Sequence, residues 1–220
     1  MLVGYNEKLI MIGDSVTDCE RARPYGEGLF GGIGKGYVMM ADALIQSVYP
    51  ERGIRITNMG ASGNTIRDLQ QRWTTDVMDL KPDWLSIMIG INDVWRQFDT
   101  PHITEGHVYL GEYELTLRNL VESTLPSLKG LILMTPYYLE PNPHDLMRAD
   151  MDRYGSVVKR VADDYGCLFV DTQQAFASVL ESIYPATIAW DRVHPNAAGH
   201  MVLAKAFLNV IGFDWSKASH

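Results

Sequence analysis

Apolar runs of strand length alternate with longer segments of helical period along almost the whole chain, and this alternation limits its fold more than any other feature. Leu9-Ile-Met-Ile12 ends at Gly13 and reads as a buried strand. Ile54 to Asn58 alternates with period two, Trp84 to Ile89 closes at Gly90, Leu131 to Met134 stops before Pro136, and Leu168-Phe-Val170 supplies a fifth run. Between them, the length and composition of Val38 to Val48 favour a helix. Ile66, Leu69, Trp73, Val77 and Leu80 recur three or four apart until Pro82, the stripe of an amphipathic helix. Leu115 to Leu125, Asp145 to Tyr165 and Ala197 to Val210 complete the helical segments. Strands alternating with helices pair in parallel, so the expected fold is an α/β three-layer sandwich. With no repeat, linker or low-complexity segment, residues 1–220 read as a single domain. In such sheets ligands bind beyond the carboxyl ends of the strands, so residues just after each strand matter most.

Charge narrows the partners. Lys and Arg number 19 against 27 Asp and Glu, a net charge of −8, which gives no electrostatic footprint for nucleic acid or anionic lipid. The apolar runs are too short to span a bilayer. Met1 to Lys8 lacks a basic patch followed by an apolar stretch, so no signal peptide is expected. Cys19 and Cys167 have neither a close partner nor a histidine at ligand spacing, which argues against a disulfide framework or a zinc site. The expectation is a cytoplasmic protein with no metal or cofactor.

Ser15 follows the first strand within Gly13-Asp14-Ser15 and would sit at the sheet's carboxyl edge. It reads either as a nucleophile near a helix N-terminus or, with Asp14, as a helix cap. A serine hydroxyl needs a base. Of six histidines, His194 stands out for its company: a carboxylate three residues earlier across a tight turn closed by proline, Asp191-Arg-Val-His194-Pro195. Asp191 could hold the Nδ1–H and leave Nε2 as a general base, or it could cap the helix that follows. His102 and His107 in a polar loop, His144 in a Pro/Asn-rich loop, His200 inside the last helical segment and His220 at the tail read as packed or solvated side chains.

A tetrahedral oxyanion also needs donors. Asn58 to Asn64 follows the second strand, where Gly63 offers an unshielded N–H. Gly90-Ile-Asn92-Asp93 follows the third, where Asn92 offers a side-chain amide. With the Ser15 N–H these would make three donors. Taken singly, Gly63 could serve only a positive φ and Asn92 only a turn; their joint placement after strand ends favours the catalytic reading. Competing motifs fail on context. Gly26-x-Gly28-x-x-Gly31 lies too far beyond the first strand for a dinucleotide site, and Ser62 is not part of a G-x-S-x-G elbow.

Gly13-Asp14-Ser15, Asn58-x4-Gly63, Gly90-x-Asn92-Asp93 and Asp191-x-x-His194 resemble the four blocks of the SGNH (GDSL-type) hydrolase superfamily, over about Leu9 to Val210. The resemblance implies a flavodoxin-like parallel sheet of about five strands. It also implies Ser15 as nucleophile, Asp191 and His194 as its partners, and Gly63 and Asn92 as oxyanion donors beside Ser15. Ile87 to Gln97, Leu133 to Tyr137 and Ala189 to Pro195 are similar to the bacterial intracellular SGNH acetylxylan esterases. That branch implies a homo-oligomer, an octamer among the options, and an acetylated xylo-oligosaccharide as substrate. Trp190, Tyr184 and Trp95, with Tyr25 and Tyr137, fall in loops expected to line the crevice, where aromatic faces pack on sugar rings. Other readings remain: an esterase, lipase or thioesterase for a different acyl ester, or a sugar acetyltransferase using the same serine.

Overall fold

The structure is a computed structural model that describes residues 1–219; His220 lies outside the described residues. Five strands form one parallel sheet: β1 (Lys8–Gly13), β2 (Arg55–Asn58), β3 (Trp84–Met88), β4 (Gly130–Met134) and β5 (Leu168–Val170), in the order β2-β1-β3-β4-β5. The expected strands are all present, within two residues at each end. Side chains alternate through the sheet as the two-residue period demands. Leu9, Met11, Trp84, Met88, Ile132 and Met134 face one layer of core, while Ile10, Ile12, Leu85, Ile87, Leu131 and Leu133 face the other. Strands buried on both faces are continuous apolar runs, which is why β1 and β4 lack a polar phase. Each such side chain contributes about 1.5–3 kcal/mol on burial.

The first face is covered by α2 (Tyr37–Val48), α7 (Thr172–Leu180) and α9 (Ala197–Val210), and the second by α3 (Ile66–Gln71), α5 (Leu110–Thr124) and α6 (Leu146–Tyr165). Five elements depart from the sequence reading. The stripe expected to run from Ile66 to Leu80 breaks after Gln71 into a π turn over Thr74–Met78. The break coincides with Arg72, whose guanidinium reaches inward to the carbonyls of Gly13 (2.9 Å) and Met59 (2.7 Å) and to Asn64 Oδ1 (2.6 Å). Helices α4 (Ile91–Asp99) and α7 were not anticipated, because each is nine residues long and buries few apolar positions. The other two are one-turn helices, α1 (Ser15–Asp18) directly after β1 and α8 (Pro185–Ile188) ahead of the His194 loop.

The chain leaves β1 first toward β2 on one side and later toward β3 on the other. This strand order opens a crevice at the carboxyl ends of β1 and β3. Gly13 and Met88 are paired across that gap, so the segments beginning at Asp14 and Ile89 emerge side by side.

Candidate active site

Asp14 caps α1: its carboxylate accepts from the Val16 N–H at 3.0 Å, the structural role expected of it. It is buried, and burial pushes its pKa up to about 7 against the pull of that bond and of the nearby His194 and Arg72 charges. The cap leaves Ser15 partly exposed at the start of the turn, facing the crevice.

His194 comes from the loop before α9, 179 residues away in sequence, and its Nε2 lies 2.9 Å from Ser15 Oγ. Its Nδ1 lies 2.7 Å from Asp191 Oδ2. An ionised carboxylate only accepts, so Nδ1 carries the proton and Nε2 is left to accept from the hydroxyl. Asp191 Oδ1 also accepts from the backbone N–H groups of Val193 (3.0 Å) and His194 (2.8 Å). Burial works to raise the Asp191 pKa, yet these bonds hold it below the usual carboxylate value. The turn requires Arg192 at φ +64°, a left-handed conformation that costs a non-glycine residue about 1 kcal/mol. A hydrogen bond from the Arg192 N–H to the Ala189 carbonyl (2.9 Å) and an ion pair with Glu140 accompany it.

Gly90, at φ +129°, turns the chain straight from β3 into α4 and so places Asn92 in the first helical turn, buried beside the crevice. Asn92 Nδ2 donates to the Asn64 carbonyl at 3.0 Å. Gly63 occupies φ +81°, and a Cβ there would meet nothing within 4 Å. The glycine therefore serves the backbone conformation of the loop. Among the described residues, neither the Ser15 N–H nor the Gly63 N–H has a hydrogen-bond acceptor.

The aromatic residues divide. Trp95 packs against His194 with ring centroids 5.9 Å apart. Trp190 (84% exposed) and Tyr184 (72%) project into solvent from the loops before His194. Tyr137 does not line the crevice: it is buried against Phe176, and its hydroxyl donates to the Val193 carbonyl at 2.9 Å, bracing the Asp191–His194 turn from below. His200 is also internal. Its Nδ1 accepts from the Tyr37 N–H (3.1 Å) and its Nε2 faces Cys19 Sγ (3.5 Å), and burial pushes its pKa down to about 4. Ser62, the rival serine, is tied through both N–H and Oγ to Asp18 Oδ2 at 3.0 Å, with no histidine beside it.

Asn58 and Asp93 belong to the sequence blocks that mark the site, but the blocks gave neither residue a role of its own. Asn58 donates to the carbonyls of Thr17 (2.6 Å) and Ile33 (2.8 Å) and accepts from the Gly60 N–H (2.9 Å), joining the serine turn to the glycine-rich loop and to the Gly63 loop. Asp93 caps the start of α3 through the Ile66 N–H (3.0 Å), and burial pushes its pKa up to about 8. These contacts link segments far apart in sequence, and spacing cannot report them.

A hydroxyl, an imidazole and a carboxylate in hydrogen-bonded series form the constellation of a serine-type hydrolase on a parallel α/β sheet. Residues 11–202 match the GDSL-like Lipase/Acylhydrolase family. The chain belongs to that family and is a carboxylic ester hydrolase. An acetylxylan esterase of Geobacillus stearothermophilus is 62% identical over 218 residues, 99% of this chain and 100% of that protein. The crystal structure of Axe2, an acetylxylan esterase from Geobacillus stearothermophilus, superposes with a TM-score of 0.97 at 62% identity, covering 98% of each chain. That of LAE5, an alpha/beta hydrolase enzyme from the metagenome of Lake Arreo, gives 0.95 at 53% identity over 97% of this chain and 98% of the other. Structures of catalytic mutants of Axe2, S15A, D191A and H194A, are similar to this chain with a TM-score of 0.97.

Proposed function

We propose that the protein removes acetyl groups from acetylated xylo-oligosaccharides through an acetyl-serine intermediate. The observation that carries this reading is the continuous series Ser15 Oγ, His194 Nε2, His194 Nδ1, Asp191 Oδ2, with contacts of 2.9 and 2.7 Å. His194 takes the Ser15 proton as Oγ attacks the acetyl carbonyl, and Asp191 steadies the imidazolium. The oxyanion is held by the Ser15 and Gly63 N–H groups and by Asn92 Nδ2. His194 then returns its proton to the departing sugar alcohol, and water attacks the acetyl-serine by the same route to release acetate. No step needs a metal or cofactor.

The substrate class draws its support from the relative's activity and from the open, aromatic rim. Trp190, Tyr184 and Trp95 would pack on the sugar, leaving the hydroxyls to polar neighbours. We further infer a single domain over residues 1–220 acting in the cytoplasm as a homo-oligomer, with short oligosaccharides as its substrates. Among the described residues no helix is long and apolar enough to cross a membrane.

Acetate release from acetylated xylo-oligosaccharides, beside hydrolysis of acetyl and long-chain nitrophenyl esters, tests the reading. The expected outcome is free acetate and an acetyl ester hydrolysed at least about tenfold faster than the long-chain one, since a methylene mismatched to its pocket costs roughly 1–3 kcal/mol. A preference for the long chain would make the protein a lipase, and acetyl groups moved to a second sugar would make it a transferase.

A further inference from the structure

The Asn92 carboxamide is held at both ends. Its Nδ2 donates to the Asn64 carbonyl at 3.0 Å, and its Oδ1 accepts from Arg96 Nη2 at 3.3 Å. Asn92 and Arg96 are four apart on α4, the spacing that brings side chains together on a helix face. The guanidinium is itself aimed from two sides. Its Nη1 is paired with the Asp99 carboxylate one turn on, and its carbon lies 5.0 Å from the Trp95 ring centroid. The other side of this cluster touches the site, because the Trp95 ring packs on His194.

A primary amide can be turned over by exchanging its oxygen and nitrogen, and only one orientation presents N–H toward an oxyanion. Arg96 has no acceptor to offer, so an inverted Asn92 would face donor against donor there, and at the other end its oxygen would face the Asn64 carbonyl oxygen. The orientation is therefore fixed, and of the two Nδ2–H groups one is committed to Asn64. The second is left for the substrate. A cation at Oδ1 also withdraws electron density through the amide and makes that remaining N–H a stronger donor, an effect enlarged by the burial of Asn92.

We propose that Arg96 is a positioning residue for the esterase reaction: its guanidinium fixes and polarises the Asn92 amide so that one Nδ2–H is ready for the developing oxyanion before substrate arrives. The proposal rests on the reading of Asn92 as an oxyanion donor. Arg96 touches neither the reacting atoms nor the acyl group, and acts through Asn92. A donor already oriented needs no reorganisation as the charge develops, so the benefit falls on the transition state and appears in kcat.

The test is a double-mutant cycle of Arg96→Met and Asn92→Ala, read as kcat and KM on an acetyl ester, with circular dichroism on each variant. Asn92→Ala is expected to lower kcat about 10²–10³-fold. Arg96→Met is expected to lower kcat about tenfold with KM within about twofold, and to cost nothing further when Asn92 is already alanine. An unchanged kcat in Arg96→Met, while Asn92→Ala is impaired, overturns the role of Arg96 and leaves the oxyanion reading standing. An undiminished loss in the Asn92→Ala background also overturns it, since Arg96 would then act through Trp95 and His194 or through the fold. A rise in KM alone would make Arg96 a substrate contact. Full activity in Asn92→Ala would remove the oxyanion reading and this proposal with it.

Discussion

The amino ends of β1, β3 and β4 are closed by ion pairs, whereas the carboxyl ends of β1 and β3 are followed by carboxyls, Asp14 and Asp93, that are buried with no ion pair among the described residues. At the amino ends Glu7 accepts from the Trp84 indole (2.7 Å) and the Gly4 N–H (2.5 Å) and pairs with Lys129 (2.8 Å), which also pairs with Asp83 (2.9 Å). Asp83 in turn accepts from the Lys8 N–H at 2.9 Å. Burial works to raise the Glu7 pKa, but the bonds from Lys129, Gly4 and Trp84 hold it below the ordinary value. At the carboxyl ends Asp14 and Asp93 are pushed up to about 7 and about 8 by burial, and no ion pair offsets it among the described residues. The Ser15 and Gly63 N–H groups there also have no acceptor among the described residues. The contrast is between polar groups that stabilise the fold by being satisfied within it and backbone N–H groups that have no internal acceptor and so are free for a ligand or water.

The largest break between the two ends should come from Ser15→Ala. Turnover should fall by at least about 10⁴-fold, with circular dichroism and melting temperature close to the parent, because the lost hydroxyl makes its contact only across the crevice. Retention of most esterase activity would remove the nucleophile from the site. A smaller effect of opposite sign is expected for Asp93→Asn. A carboxyl whose pKa is raised on folding binds its proton more tightly in the native state, so its contribution to stability declines as pH rises from about 4 toward about 8. The neutral amide should flatten that decline and leave the variant more stable than the parent at pH 8, by on the order of 1–3 kcal/mol, as read by urea unfolding across pH. Loss of stability at pH 8 would mean that the charged form is the one the fold prefers. The smallest effect belongs to the amino end. Glu7→Gln should leave kcat unchanged and cost about 1 kcal/mol or less at neutral pH, a deficit that disappears as acid protonates Glu7 in the parent. A change in kcat would show that the two ends are coupled.

Much of this was legible in the chain. Strand and helix periods report which side chains share a face, and the five strands followed from them. Asp191-x-x-His194 could be read as a pair because three residues span a single turn, and Gly13-Asp14-Ser15 because a strand end lay immediately before it. Helix α4 was hidden because only Ile91, Asn92, Asp93 and Val94 of its nine residues are buried, too few to set up a stripe. Tyr137 was misread as a crevice residue because a sequence marks its place after β4 but not the side to which its ring turns.

The amino-acid sequence by itself determined the layered α/β architecture, the residues that follow each strand and the family, since all three depend on local period and order. Tertiary structure alone decided that Asn58 joins three loops, that Arg72 draws the end of α3 to the sheet edge, and that Asn64 and Arg96 set the direction of the Asn92 amide. A hydrogen bond has a direction as well as a length, and direction is settled only when the backbone segments that carry donor and acceptor have been packed against each other.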